Sequence, residues 1–428
     1  MKKSYYFISP AMEPARGRTR ELIEELDALW LAGKNEGAGE ICAALHTLAD
    51  EKNLPYVFRQ MEGSPTVGML RDILKLLTSC DWKGNALFER ILKGRSEQTI
   101  NLDAAGVSCA TGGLHAALQG LGAAGGEVIT TSFNYIGVVN AIKLAGAKPR
   151  FVDIDPRTWC MDPGAARAAV NDNTRAILLT HFNHFADLAP FYDICEEGGR
   201  NVPLVQDASL AIGSKRAGLR PGFLNIGRPG ATVMSFTISK IISGLGGAIV
   251  VSDSSKLIER VQVIAHQGLN LRDECIVDEF GANYKLSYLN AAIAREMLKR
   301  FDGIVGRRRE IRTRYDEAFA PLAADGLIEL QGLSADDAVT YYGILLPKGV
   351  AWREFAKLLF DRHGIIMGRW HCLHQEEIYK RAQGDAGASL PVTEEINRRM
   401  LFLPLHTGFS DEDAKYICEK TAEEIRRL

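Results

Sequence analysis

A lysine at position 240 has the setting in which a side-chain amine does covalent chemistry. It closes the run Thr232-Val-Met-Ser-Phe-Thr-Ile-Ser-Lys240, and Ser243, Gly244, Gly246 and Gly247 lead into a second apolar run. A lysine at a strand edge, followed by small residues, can approach a flat aldehyde and form a Schiff base through its deprotonated amine. That chemistry points to pyridoxal 5′-phosphate (PLP). The competing explanation is a solvated lysine that merely ends a strand.

Three other segments bear on the choice. In Ser108-Cys-Ala-Thr-Gly-Gly-Leu, Thr111, Gly112 and Gly113 fall between a strand and a helix. Exposed N–H groups and a hydroxyl there suit a phosphate, although an ordinary N-cap has the same composition. Asp207 ends Pro203-Leu-Val-Gln-Asp207, placing a carboxylate where it can pair with a pyridinium nitrogen or cap the next helix. Thr131-Ser-Phe-Asn-Tyr135 follows another strand; Tyr135, or else Phe133, can stack on a planar ring. Ser235, five residues before Lys240, is a further phosphate ligand candidate. Each signal is weak, but all fall at strand ends, where open α/β sheets bind ligands.

The elements that position them emerge from the apolar pattern. Seven short runs are expected as strands: Ala105–Ser108, Glu127–Thr131, Lys148–Asp153, Ala176–Thr180, Pro203–Asp207, Ala231–Phe236 and Gly247–Val251. Helical patterns between them imply an α/β fold, a mainly parallel seven-stranded sheet with helices on both faces. A long helical stretch from Ser287 to about Ala320 leads into a smaller C-terminal α/β unit. Its expected parts are a strand over Val339–Leu346, a helix over Trp352–Arg362, a strand at Ile365-Ile-Met367 and a helix from Ser410. The resulting division is an N-terminal helical appendage at 1–62, a large domain at 63–285 and a small domain at 286–428. Two further helical patterns run through Leu70–Leu77 and Leu87–Leu92.

The 428 residues are 46% hydrophobic and 24% charged, with a net charge of -2, so no global field favours nucleic acid or an anionic membrane. The basic run Arg307–Arg314 therefore reads as a solvated helix face. Eight scattered cysteines without a Cys-x-x-Cys pair suggest a reducing compartment. No apolar stretch approaches the roughly 18 residues of a membrane span, and no signal-peptide apolar segment follows Met1, so a cytoplasmic location is expected. Gly120-Leu-Gly-Ala-Ala-Gly125 matches a dinucleotide fingerprint, but it follows a helix and precedes a strand, which suits a helix stop. The pairs His181/His184 and His371/His374 lack a convincing ligand set, and no metal is expected.

Taken in order, these motifs resemble the DegT/DnrJ-type PLP-dependent sugar aminotransferases of fold type I, from about residue 66 to the C-terminus. The similarity rests on Cys109-Ala-Thr-Gly-Gly, Thr-Ser-Phe-Asn-Tyr135, Asn140–Ala147 with Phe151-Val-Asp-Ile-Asp-Pro156, and Gln206-Asp-Ala-Ser. It continues through Ser235-Phe-Thr-Ile-Ser-Lys240, Gly281–Ile293 and Leu403–Asp413. The resemblance implies that Lys240 is the Schiff-base lysine, Asp207 the pyridinium partner and Tyr135 the stacking residue. It implies phosphate ligands at Thr111, Gly112 and Ser235. It also implies a homodimer in which Asn283 reaches the neighbouring subunit's phosphate site.

The implied reaction moves an amino group from glutamate or glutamine to a nucleotide-activated keto-sugar, with ping-pong kinetics. Leu210 and Gly246 depart from the family pattern, which usually has glutamine or histidine at the first position and an acidic residue at the second. Two alternatives accompany this reading: a PLP-binding regulatory or scaffolding protein without turnover, and a PLP-dependent dehydratase or lyase. In the sugar dehydratase branch histidine replaces the lysine, so Lys240 argues against that branch.

Overall fold

The computed structural model describes residues 103–216, 227–270, 276–277, 279–370, 372–383 and 389–428. The expected appendage at 1–62, the helical patterns at Leu70–Leu77 and Leu87–Leu92, and His371 lie outside these residues.

All seven strands of the expected sheet are present, within two residues of their expected limits. They are β1 (Asp103–Val107), β2 (Glu127–Thr131), β3 (Lys148–Val152), β4 (Thr174–Thr180), β5 (Leu204–Asp207), β6 (Gly230–Ser235) and β7 (Ala248–Ser252), in the order β1-β7-β6-β5-β4-β2-β3. Only β7 is antiparallel to its neighbours, so the carboxyl ends of the other six lie on one side. The run Ala176-Ile-Leu-Leu is wholly buried because helices cover both faces. On one face α1 (Ala110–Gly120), α2 (Ile136–Leu144) and α5 (Ser255–Ala265) share a core with Val128, Leu178, Val205 and Val233. On the other, Ile129, Ile177 and Leu179 pack with α3 (Pro163–Ala169) and α4 (Ala189–Glu196). The Gly120–Gly125 segment ends α1 and turns into β2, consistent with a helix stop.

After the short pair β8 (Leu269–Asn270) and β9 (Ile276–Val277), Ser287 caps α6 (Tyr288–Lys299) by accepting from the Asn290 N–H at 3.1 Å. The expected long helix is broken at Arg300, and α7 spans Phe301–Ala324. Its basic run corrects the sequence expectation: Arg308 and Arg312, one turn apart, are buried rather than solvated. Arg308 donates to the carbonyls of Val339, Thr340 and Leu405, and Arg312 to those of Ser334 and Asp337. Burial pushes the Arg308 guanidinium down to about 9.

The second sheet is antiparallel and three-stranded: β10 (Glu329–Leu330), β11 (Tyr342–Leu345) and β12 (Met400–Leu403). The expected strand at Ile365-Ile-Met367 is not formed. That segment reaches the sheet only through Gly368, which exchanges backbone bonds with Phe402, whereas β12 supplies the continuous pairing. Helices α8 (Trp352–His363), α9 (Glu377–Gln383), α10 (Pro391–Arg399) and α11 (Asp411–Ile425) complete this part. Ser410 and Asp413 form a reciprocal capping box at the start of α11. Helix α10 takes its cap from far away in sequence. The Asp153 carboxylate, just beyond β3, accepts from the N–H groups of Val392 and Thr393 and from the Thr393 hydroxyl.

Candidate active site

Backbone register brings Asp207 and Ser235 to the carboxyl edge of adjacent strands, with Asp207 opposite Thr180 and Val233. Asp207 is 6% exposed, and one of its oxygens accepts the Ser209 N–H at 3.0 Å. Burial raises its pKa, while Ser209 and the charge of Lys240 oppose the rise. Lys240 therefore lies within electrostatic reach of this carboxylate. It is half-buried, in a turn closed by a bond from its N–H to the Thr237 carbonyl. Thr237 adds an exposed hydroxyl 2.8 Å from that of Ser235. The Ser-x-Thr spacing is the sequence signal for this hydroxyl.

Two helix N-termini adjoin each other. Cys109 caps α1, its sulfur accepting from the Gly112 N–H, and puts Thr111 in the first turn. Tyr135 precedes α2, and Gly137 lies in that helix's first turn. A Cβ on Gly137 would sit 2.4 Å from Thr111 Oγ1 and 3.1 Å from the Tyr135 ring, so glycine lets hydroxyl and ring adjoin. A Cβ on Gly112 would meet the Tyr284 ring at 2.8 Å. Tyr284 in turn bonds through its hydroxyl to His115 Nδ1 at 3.0 Å.

Of the two aromatic candidates, Tyr135 is 60% exposed and Phe133 is sealed in the core among Trp159, Phe182 and Trp370. Trp370 also flanks Tyr135, with ring centroids 6.2 Å apart. Nothing in the sequence around Trp370 marked it. Asn283 is exposed and pairs through its backbone with His266. Leu210 is buried in the core cluster that also contains Phe133 and Phe182. Gly246 has a left-handed φ of 146°, a conformation that glycine tolerates and an acidic residue would not.

The histidines have structural partners. His181 Nδ1 accepts the Ala186 N–H, so its Nε2 donates to Gln206, and burial pushes the ring down to about 4. His184 sits between Asp337, 2.7 Å from Nδ1, and Arg216, which donates to Nε2. His374 links Ser132 to Glu394.

A mainly parallel sheet with an amine, a buried carboxylate and a hydroxyl-bearing helix N-terminus at its carboxyl edge is an arrangement that suits a PLP-dependent transferase. The model of the DegT/DnrJ/EryC1/StrS aminotransferase family matches residues 77–422, and the chain belongs to that family. It is 30% identical over 346 residues to GDP-perosamine synthase of Escherichia coli O157:H7, covering 80% of this chain and 90% of the relative. It is also 30% identical over 331 residues to a pleiotropic regulatory protein of Geobacillus stearothermophilus, covering 76% and 86%. Among solved structures it resembles the aminotransferase TlmJ of Streptoalloteichus hindustanus, with TM-score 0.76, 26% identity and coverage of 86% of this chain and 98% of that one. The protein is thus a PLP-dependent aminotransferase of a sugar aminotransferase family.

The residues present suit the cofactor. Asp207 is a buried carboxylate whose ionised form needs a cationic partner, and glycine at 137 lets a hydroxyl and a ring adjoin at a helix N-terminus. Among the described residues no helix is long and apolar enough to cross a membrane.

Proposed function

We propose that this protein transfers the amino group of glutamate or glutamine to the ketone of a nucleotide-activated sugar. The observation that supports this reading is buried Asp207 at the carboxyl edge of the sheet, beside the strand that leads through Ser235 to the Lys240 turn. Bound PLP supplies an aldehyde that carries the amino group and a ring that withdraws electrons. Lys240 Nζ would bind the cofactor's aldehyde carbon and would accept and return the proton at the donor's α-carbon. Asp207 would keep a proton on the ring nitrogen. Thr111, Gly112 and Ser235 would hold the phosphate, and Tyr135 would pack against the ring.

The GDP-perosamine synthase relative is named for a GDP-linked product, which supports a nucleotide-activated acceptor. A homodimer with shared sites fits the exposed apolar side chains Ile136, Leu245, Phe280 and Leu289, and gives exposed Asn283 a neighbouring site to reach.

The test is a half-reaction. Glutamate or glutamine added to PLP-loaded protein should bleach its visible absorbance with release of the 2-oxo acid, and a nucleotide-linked keto-sugar should restore it. Lys240→Ala should lack both changes. A spectrum silent to every amino donor would refute the donor assignment and favour a regulatory role such as the Geobacillus relative's name describes.

A further inference from the structure

Tyr135, the ring assigned above to the cofactor, is 60% exposed and precedes α2 without a side-chain capping bond. An exposed ring turns about two torsions, and fixing them on a ligand costs rotamer freedom. Contacts from far along the chain limit that freedom in advance.

The backbone beneath the ring is held first. Cys372 pairs with Phe133 in an antiparallel bridge, and the Leu373 N–H donates to the Ser132 carbonyl at 3.1 Å. The fully buried Ser132 hydroxyl accepts the His374 N–H at 3.0 Å and lies 2.6 Å from Nδ1 of the same residue. His374 Nε2 is 3.2 Å from a Glu394 carboxylate oxygen, which needs the proton on that nitrogen and leaves Nδ1 of a neutral ring to accept from Ser132. Asn134 holds the other end of the loop: its Nδ2 donates to Thr180 Oγ1 and its Oδ1 accepts the Tyr135 N–H, each at 2.8 Å.

These bonds fix the loop and leave the tilt of the ring to its side-chain neighbours. Trp370 meets it with ring centroids 6.2 Å apart and planes at 56°, an arrangement attractive beyond its burial. Trp370 is itself held. Phe182 meets it edge-on at 4.9 Å, and its carbonyl accepts from Asn397 Nδ2 at 2.7 Å. Two residues earlier, Gly368 exchanges backbone bonds with Phe402 of β12. The indole is therefore a fixed support for a ring that is otherwise free to swing.

We propose that Trp370 is a positioning residue for the cofactor: it acts through Tyr135, holding that ring at the tilt in which it packs against bound PLP. The inference rests on the stacking role given to Tyr135 above and adds the residue that orients it before the cofactor binds.

The test follows the cofactor rather than turnover. Bound PLP acquires visible circular dichroism from its asymmetric site, and titration of apo protein gives its affinity. Trp370→Leu keeps an apolar side chain against Phe182; it should weaken PLP about two- to tenfold, the range of one aromatic pair, and change the visible dichroism. Trp370→Phe should recover most of both. In a Tyr135→Ala background, Trp370→Leu should alter neither quantity further, because the residue it acts through is gone. Thermal melts show whether each variant is folded, and Trp370→Met takes the place of an unfolded Trp370→Leu in the same cycle.

Unchanged affinity and dichroism in a folded Trp370→Leu protein, or losses that persist in the Tyr135→Ala background, would overturn the positioning role and leave the stacking role standing. Tyr135→Ala protein with wild-type PLP affinity and dichroism would instead overturn the stacking role, and that of Trp370 with it.

Discussion

Gly137→Ala separates cofactor binding from folding. The added Cβ would lie 2.4 Å from Thr111 Oγ1 and 3.1 Å from the Tyr135 ring, so something must move. The nearer atom is the end of a short side chain on one torsion, and rotating χ1 removes it from the clash. The apo protein therefore avoids most of the ~1–3 kcal/mol of an overpacked core. Alanine also gains about 0.8–1 kcal/mol over glycine within α2. These terms nearly offset each other, and apo stability should change by less than about 1 kcal/mol. The cofactor should bear the cost. With the Thr111 hydroxyl turned away, one hydrogen bond to a charged phosphate is lost, about 1.5–3 kcal/mol or roughly ten- to a hundredfold in PLP affinity. Titrating apo protein with PLP by absorbance gives that number, and thermal melts of the apo form give the stability. Thr111→Val should lose a similar amount, and the double variant should be little worse than either single one, because both remove the same contact. A folded Gly137→Ala protein with unaltered PLP affinity, or losses that simply add, would refute the reasoning.

Further outcomes follow from the same geometry. Burial raises the Asp207 pKa, so its ionised form weakens the folded apo protein. That penalty is absent below the unfolded carboxylate's pKa near ~3.9 and grows as pH rises through the folded value. Apo Asp207→Asn should thus melt higher than wild type at neutral pH, by a margin that shrinks on acidification, while binding PLP more weakly. A margin that widens in acid would show the sign to be wrong. Mixing Lys240→Ala with Asn283→Ala chains should restore activity through hybrid dimers, each with one site carrying neither change; no recovery despite subunit exchange would exclude shared sites. Asp153→Ala removes the distant cap of α10 and should cost about 2–3 kcal/mol in a denaturant melt, with Asp153→Asn costing less.

Local chemistry made much of this protein legible. Continuous apolar runs such as Ala176-Ile-Leu-Leu marked buried strands, because a sheet covered on both faces needs no polar alternation. Breaks after those runs put Asp207 and Ser235 at strand ends. The helix expected from Ser410 is α11, whose start Ser410 caps together with Asp413. The reading failed where the partner is distant. Arg308 belonged to a basic run, yet its neighbours are carbonyls at Val339, Thr340 and Leu405, so a solvated appearance concealed a buried guanidinium. Ile365-Ile-Met367 has the composition of a strand, but pairing went to Met400–Leu403.

For the chemistry, sequence by itself determined which groups exist at the sheet edge: the Lys240 amine, the Asp207 carboxylate, the Thr111 hydroxyl and the Tyr135 ring. Their positions follow from local punctuation of strands and helices, which a period of two or 3.6 residues records. Tertiary structure decided what surrounds them. It left the Tyr135 ring exposed and sealed that of Phe133 in the core. It put Trp370 beside Tyr135 and Gly137 beside Thr111. Those contacts join residues up to more than two hundred positions apart. They depend on which helix and sheet faces bury each other, and no local pattern carries that information.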